Sequence, residues 1–515
     1  MRSRPASPRV GSTAVPPRRS RARRIAYRTA ALLCGGLPVF VFPMPGLWPA
    51  AWVVLVPLML LLRAAPGPGE AALLGWLGGT GYLAATQYWL LPSLTFFFPL
   101  AAVVLGLLWL PWGVLVRALL RGRVGPAGAV AALAGVPAGW VLIEAVRSWQ
   151  WLGGPWAVLG ASQWQHPAAL GLAAVGGVWL VGFALVAGNT AVVLLITQPR
   201  APQVVTVAVA GGVVAVAAGP TWFAAHPDPV SQGAVRVAIV QPGVYPNPAS
   251  RLTAGIALTE RLAGRPGGLD LVVWGESSVG SDLATDPQVR DRLIALSARV
   301  GAPLLVNVDA VRADGGIAKV SVLLDAHGVI GQYTKTRLVP FGEYIPFRAQ
   351  LGWLAGVTQA AGVNREHGPG PVVLRTRAGL PIGPLVSYES TFPDMARTQA
   401  DNGARLLVYQ TSMSTFQRSW APVQMASLGA VRAAETARPV VQAVLSGESA
   451  AYDARGRQLG RLDPDRRGTL VVTVHPSTAG TPYQRFGNYV PVVCLALVPI
   501  ALLVGGRRGR GARGR

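Results

Sequence analysis

The sequence predicts a multi-pass α-helical membrane domain joined to one large water-facing α/β domain with two helix-covered sheets. Three observations carry this expectation. Of 515 residues, 51% are hydrophobic and only 13% are charged, whereas a soluble domain carries about 25% charged residues. Apolar stretches approaching the ~20 residues needed to span a bilayer recur through the first part of the chain. From 226 to 488 short β-rich runs alternate with helical stretches, the pattern of an α/β domain.

The elements follow in order. Nine arginines and no acid precede Thr29. Seven apolar segments follow, near 26–44, 47–62, 71–91, 96–120, 127–146, 168–197 and 204–224, and an eighth runs from 489 to 504. Five more arginines come after Gly506. With the N-terminus in the cytoplasm, Arg63, Arg121, Arg123 and Arg200 fall inside, and Arg117 lies near the inner end of the fourth segment, as the positive-inside rule expects. Arg147, at the outer end of the fifth segment, is the exception. These boundaries give a basic cytoplasmic tail (1–25), seven transmembrane helices (26–225), an extracytoplasmic domain (226–488), an eighth helix (489–505) and a second basic cytoplasmic tail (506–515). The first segment is read as a retained anchor rather than a cleaved signal, because six more spans follow. The loop 148–167 is rich in tryptophan. Trp149, Trp151, Trp156 and Trp164 read either as an aromatic belt at head-group level or as part of a lipid-entry surface. Glycines such as Gly78, Gly79 and Gly81 sit inside an apolar helix and read as close helix packing.

In the α/β domain, strands are expected at 235–241, 271–274, 303–308, 320–324, 385–388, 406–409, 440–445 and 469–474. Helices are expected near 252–262, 288–299 and 424–437. His327, in Asp325-Ala326-His327-Gly328, reads as a hairpin turn.

Composition also excludes functions. The formal net charge is +24, but the basic clusters flank apolar segments, as topology signals do, and no basic stripe interleaved with aromatics marks a nucleic-acid partner. Cys34 and Cys494 lie in apolar segments at opposite ends, so no disulfide framework is expected. The five histidines lack metal-ligand spacing, and no cofactor is expected. Lys319 and Lys335 are the only lysines among 46 basic residues. A lysine kept against that arginine bias is conspicuous.

Three segments place polar residues at or after the end of an expected strand, where sites gather in α/β folds. Leu271-Val272-Val273-Trp274-Gly275-Glu276 carries Glu276. Lys335 and Glu343 flank Val339-Pro340-Phe341-Gly342. Pro384-Leu385-Val386-Ser387-Tyr388-Glu389 carries Ser387. Taken singly, Glu276 reads as a helix cap, Lys335 as a loop charge and Ser387 as a turn residue. Together, a Glu, a Lys before Pro-Phe-Gly-Glu-Tyr-Ile-Pro, and a nucleophile followed by Tyr-Glu resemble the nitrilase superfamily. With seven helices before the domain and one after, the chain resembles its membrane-embedded branch, the apolipoprotein N-acyltransferases. The stretch Val431-Arg432-Ala433-Ala434-Glu435 is similar to that family too.

The resemblance implies a nitrilase-like αββα sandwich and a division of roles. Glu276 matches the general base, Lys335 the cation that stabilises the tetrahedral intermediate, and Glu343 a carboxylate that keeps the lysine charged and oriented. Tyr388 and Glu389 match residues that follow the nucleophile. Ser387 stands where the family is expected to carry cysteine, and Ser412-Met413-Ser414-Thr415-Phe416 departs from an Asn-Asp-x-Trp-Phe-like stretch. The implied reaction passes an acyl chain from a membrane phospholipid, through an acyl-enzyme, to the α-amino group of a diacylglyceryl-cysteine apolipoprotein. Two rival expectations remain: a catalytically impaired homologue that binds lipid or lipoprotein as an accessory, and a membrane-tethered amidase.

Overall fold

A computed structural model of the chain describes residues 21–229, 231, 233–311, 315–356 and 362–506. The basic tails before 21 and after 506 lie outside the described residues. Helix occupies each of the eight apolar segments. Among the described residues, six helical stretches are long and apolar enough to cross a membrane: Arg21–Val41, Phe97–Leu120, Pro126–Arg147, Pro167–Thr197, Pro202–Ala225 and Tyr489–Gly506. The second segment is the shorter Trp48–Arg63, and the third, Pro68–Thr86, contains five glycines. Pro68, Pro126, Pro167 and Pro202 each open a helix, where the missing N–H costs nothing and the fixed φ suits the first turn. The glycines of Pro68–Thr86 do pack closely: a side chain on Gly81 would strike the Leu32 carbonyl, and one on Gly35 the Gly78 backbone.

One end of the helical bundle is tied together by arginine. Arg63 Nε donates to Leu120 O at 2.9 Å, and Arg117 donates to Ala65 O and Pro66 O, each at 3.0 Å. Gln198 donates to Gly122 O at 2.6 Å. The α/β domain sits at the other end. There Arg147 is buried and donates to Trp156 O at 2.6 Å, while Glu144 accepts from Leu159 N at 2.7 Å. The exception to the charge rule is thus an internal brace for the tryptophan-rich loop. In that loop Trp149 and Trp151 are exposed, whereas Trp156 and Trp164 are buried, so the four do not form a single belt.

Among the described residues the α/β domain has twelve strands: β1 (Val235–Gln241), β2 (Leu271–Trp274), β3 (Leu304–Val311), β4 (Ile317–Asp325), β5 (Gly328–Thr334), β6 (Leu374–Arg375), β7 (Pro381–Val386), β8 (Leu406–Thr411), β9 (Val440–Val444), β10 (Ser449–Tyr452), β11 (Gln458–Leu462) and β12 (Gly468–Val474). One sheet has the order β12-β1-β2-β3-β4-β5 and the other β11-β10-β9-β8-β7-β6. β1, β2 and β3 run parallel, as do β7, β8 and β9. Most of their residues are buried, on both faces, which is why each carries a largely apolar run. Val237, Val273, Leu305, Val386, Val408 and Val441 meet between the sheets in one core. Helices Pro248–Glu260 and Pro287–Val300 cover the first sheet. Ala421–Thr436 covers the second and is itself covered by the membrane helices, so it is buried on all sides. The strand expected at 385–388 ends instead at Val386, because Ser387–Thr391 closes into a 3₁₀ turn. The β4–β5 hairpin turns at Ala326 and His327.

Candidate active site

The parallel strands of both sheets bring their C-terminal ends to one place. After β2, Gly275 lies so close to Val444 and Leu445 of the other sheet that a Cβ would meet the Val444 carbonyl carbon at 2.6 Å. The next residue, Glu276, donates its N–H to Thr411 O at 3.1 Å, at the end of β8. Ser277 then donates its N–H to Asn307 Oδ1 and its hydroxyl to Asp309 Oδ2, each at 2.8 Å, both acceptors on β3. These bonds hold the Glu276 loop over the sheet and leave the residue only 3% exposed.

The carboxylate faces two lysines. Lys335 is fully buried, with Nζ 2.8 Å from Glu343 Oε1 and 3.5 Å from Glu276 Oε1. Lys319 Nζ lies 2.6 Å from Glu276 Oε1, 3.1 Å from Glu343 Oε1 and 3.9 Å from Asp309 Oδ2. Asp309 also pairs with Arg365. Glu343 is held in its loop by Val339 N, 2.9 Å from Oε2. Burial works against its charge, but Lys335 and Lys319 outweigh it and push the carboxyl down to about 2. Burial likewise opposes the Lys319 ammonium, and the carboxylates of Glu276, Glu343 and Asp309 outweigh that and hold it charged.

Ser387 follows β7, next to β8 in parallel register. Its φ is +52°, a left-handed conformation that is costly for a residue with a side chain. Glu389 closes the turn and joins it to the Lys335 loop. One carboxylate oxygen accepts from Tyr333 OH at 2.7 Å, Thr336 N at 2.6 Å and Arg337 N at 2.8 Å; the other accepts from Val386 N at 2.8 Å. Burial raises the Glu389 carboxyl, an effect that the N–H donors and the charge on Lys335 only partly offset. Tyr388 OH donates to Gln150 O at 2.8 Å, tying the turn to the tryptophan-rich loop of the helical part.

Ser387 and Tyr388 line a cavity of about 450 Å³ between the two domains. Leu83, Trp89, Phe98 and Leu105 supply the wall on the side of the apolar helices, Trp151 and Trp156 come from the tryptophan-rich loop, and Ser412, Met413 and Phe416 close the side of the α/β domain. Glu276, Lys335 and Glu343 therefore form one buried cluster. Ser387 occupies the wall of the adjoining cavity, linked to that cluster through Glu389. Among the described residues the Ser387 side chain makes no hydrogen bond.

Sequence reasoning singled out Lys319 only for its rarity and gave it no place in the site; Asp309 and Arg365 were missed altogether. The signal for Lys319 was present, since both lysines of an arginine-rich chain meet in this cluster.

Comparisons with known proteins agree with this layout. The model of the apolipoprotein N-acyltransferase N-terminal domain matches residues 34–191, and that of the carbon-nitrogen hydrolases matches residues 236–483. An apolipoprotein N-acyltransferase of Pseudomonas syringae pv. tomato is 30% identical over 500 residues, covering 92% of this chain and 96% of that protein. One of Geobacter metallireducens is 29% identical over 499 residues, covering 93% and 95%. Among solved structures, a carbon-nitrogen hydrolase from Helicobacter pylori aligns over 47% of this chain and 89% of that one, at 16% identity and a TM-score of 0.38.

Proposed function

This chain belongs to the apolipoprotein N-acyltransferase family, and we propose that it transfers an acyl chain from a membrane phospholipid to the α-amino group of a diacylglyceryl-cysteine apolipoprotein, on the outer face of the membrane, with Ser387 as the nucleophile. The observation that carries the reading is the cavity. It is apolar where membrane helices line it, and it reaches Ser387 where the α/β domain closes it. An acyl chain can enter from the bilayer side while its carbonyl meets the turn at Ser387.

The chemistry balances without a cofactor. Glu276 takes the hydroxyl proton as Ser387 Oγ attacks the ester carbonyl. Lys335 offers positive charge to the developing oxyanion. The intermediate collapses, the lysophospholipid oxygen leaves with the proton from Glu276, and an acyl-serine remains. The acceptor amine, with an ordinary pKa near 7.7–8.0, then attacks that ester. Glu276 removes its proton and returns one to Ser387 Oγ as the amide forms. Both substrates are anchored in the bilayer, so a site held at its surface meets them without extracting either.

The test is acyl loading and amide formation from a phospholipid donor and a diacylglyceryl peptide. Ser387→Ala abolishes both. Ser387→Cys raises both, because a thiolate forms more easily and a thioester is more reactive toward an amine. Lys335→Met lowers transfer by roughly 10²–10³, the usual cost of one oxyanion donor. Activity confined to Ser387→Cys points to a decayed nucleophile on an intact frame, and no activity in either wild type or Ser387→Cys favours the accessory reading. Equal activity in wild type and Ser387→Ala excludes Ser387.

A further inference from the structure

Glu276 is gripped more closely by the lysine that the motif did not assign. Lys319 Nζ is 2.6 Å from Glu276 Oε1, and Lys335 Nζ is 3.5 Å from the same oxygen. The two lysines also differ in their footing. Lys335 and Glu276 sit on loops, whereas Lys319 is inside β4, paired in register with Asp309 of β3. Its carbonyl accepts from Lys335 N at 2.8 Å. A cation mounted on a sheet holds its partners with less play than one on a loop. Both ammonium groups converge on Oε1 of Glu276, and among the described residues Oε2 makes no hydrogen bond.

We infer that Lys319 is a positioning residue for the reaction proposed above: it pins Glu276 through Oε1, so that Oε2 is left to take and return the nucleophile's proton. This rests on that reading of the site and deepens it. Charge balance supports it. Glu276, Glu343 and Asp309 are matched by Lys319, Lys335 and Arg365. Two further charges face the cluster. Arg251 donates to Ser277 O and acts on Asp309, and Glu389 feels Lys335. Removing Lys319 leaves an excess of negative charge in a nearly dry space, which is relieved by taking up a proton at higher pH.

The experiment uses the full chain and two readouts. The first is the pH profile of acyl loading for wild type, Lys319→Met and Lys319→Arg. The second is independent of acyl transfer: the pH profile of iodoacetamide alkylation of the introduced thiol in Ser387→Cys, alone and combined with each Lys319 variant. Lys319→Met moves the rising limb of both profiles upward by about 1–3 pH units, the usual effect of one close opposite charge. Below the limb it lowers kcat at least about 10-fold with little change in KM, and Lys319→Arg restores the limb. Unmoved limbs in Lys319→Met overturn the inference. So does a loss uniform across pH that arginine fails to rescue, which is what a merely structural lysine produces. If no variant loads acyl groups but the alkylation limb still moves with Lys319→Met and returns with Lys319→Arg, the acyl-transfer reading fails and the role of Lys319 stands. If loading proceeds and neither limb moves, the reverse holds.

Discussion

Glu389 carries more of the site's geometry than its position after the nucleophile suggests. Four donors from two stretches of chain converge on it: Tyr333 OH, Thr336 N and Arg337 N around Lys335, and Val386 N before Ser387. It therefore sets the spacing between the lysine and the nucleophile turn, and it helps hold Ser387 at a φ of +52°. Glutamine keeps one acceptor oxygen but turns an amide N–H₂ on one side toward N–H donors. Glu389→Gln is expected to lower stability by about 1–3 kcal/mol, the cost of leaving a buried donor unmatched, and Glu389→Ala by more. Acyl loading falls in parallel. Thermal unfolding of the detergent-solubilised protein checks this, and a Glu389→Ala protein with wild-type stability and loading refutes it.

Among the elements, the helix Pro167–Thr197 couples the two domains by being broken. Gly176 and Gly177 leave the helical region, with Gly177 at φ +70° and ψ −175°. The interruption frees Val178 N, which donates to Glu435 Oε1 at 2.8 Å. Glu435 lies on Ala421–Thr436, the helix between the second sheet and the membrane helices, and its other oxygen is 3.2 Å from Arg432. Tyr483 fills the notch: a Cβ on Gly177 would meet its ring at 2.6 Å. Gly177→Ala thus combines a φ/ψ pair available essentially only to glycine with a collision, and should cost about 1–3 kcal/mol or more. Gly182→Ala in the same helix meets its nearest neighbour at an ordinary 3.4 Å and should be nearly neutral. Equal unfolding temperatures for the two variants would remove the break as a coupling device.

At the scale of the whole molecule, the arginine-tied ends of the helices and the α/β domain lie at opposite ends of the bundle. Arg63, Arg117 and Arg121 meet at one end, while Arg147 is withdrawn into the protein at the other. By the positive-inside rule the arginine end is expected to face the cytoplasm, which would set the α/β domain on the outer face, as the proposed reaction requires. Reporter fusions at exposed Gly267 should be active outside, and fusions at Arg513, in the tail beyond the described residues, should be active in the cytoplasm. The opposite result at either position defeats the eight-span orientation.

The sequence by itself determined what depends on local pattern. Apolar length marked the membrane segments, and short, largely apolar runs marked the parallel strands, because a strand buried on both faces is mostly apolar. β5 escaped notice because Gly328 and Gly331 interrupt its run, and β10 and β11 because they are short and, in β11, largely exposed. These strands exist by pairing with neighbours rather than by their own pattern. Glu276, Lys335, Glu343 and Ser387 were legible as motif residues, Glu276 and Ser387 beside strand ends that their own apolar runs marked. Only the tertiary structure decided what surrounds them. Lys319 reaches Glu276 because β4 lies beside β3 and projects that side chain over the end of β2, and no spacing along the chain encodes such a meeting. The cavity at Ser387 is likewise assembled from helices, a braced loop and a turn far apart in sequence. Its shape follows from packing two domains together, a property of the assembled molecule and of none of its segments.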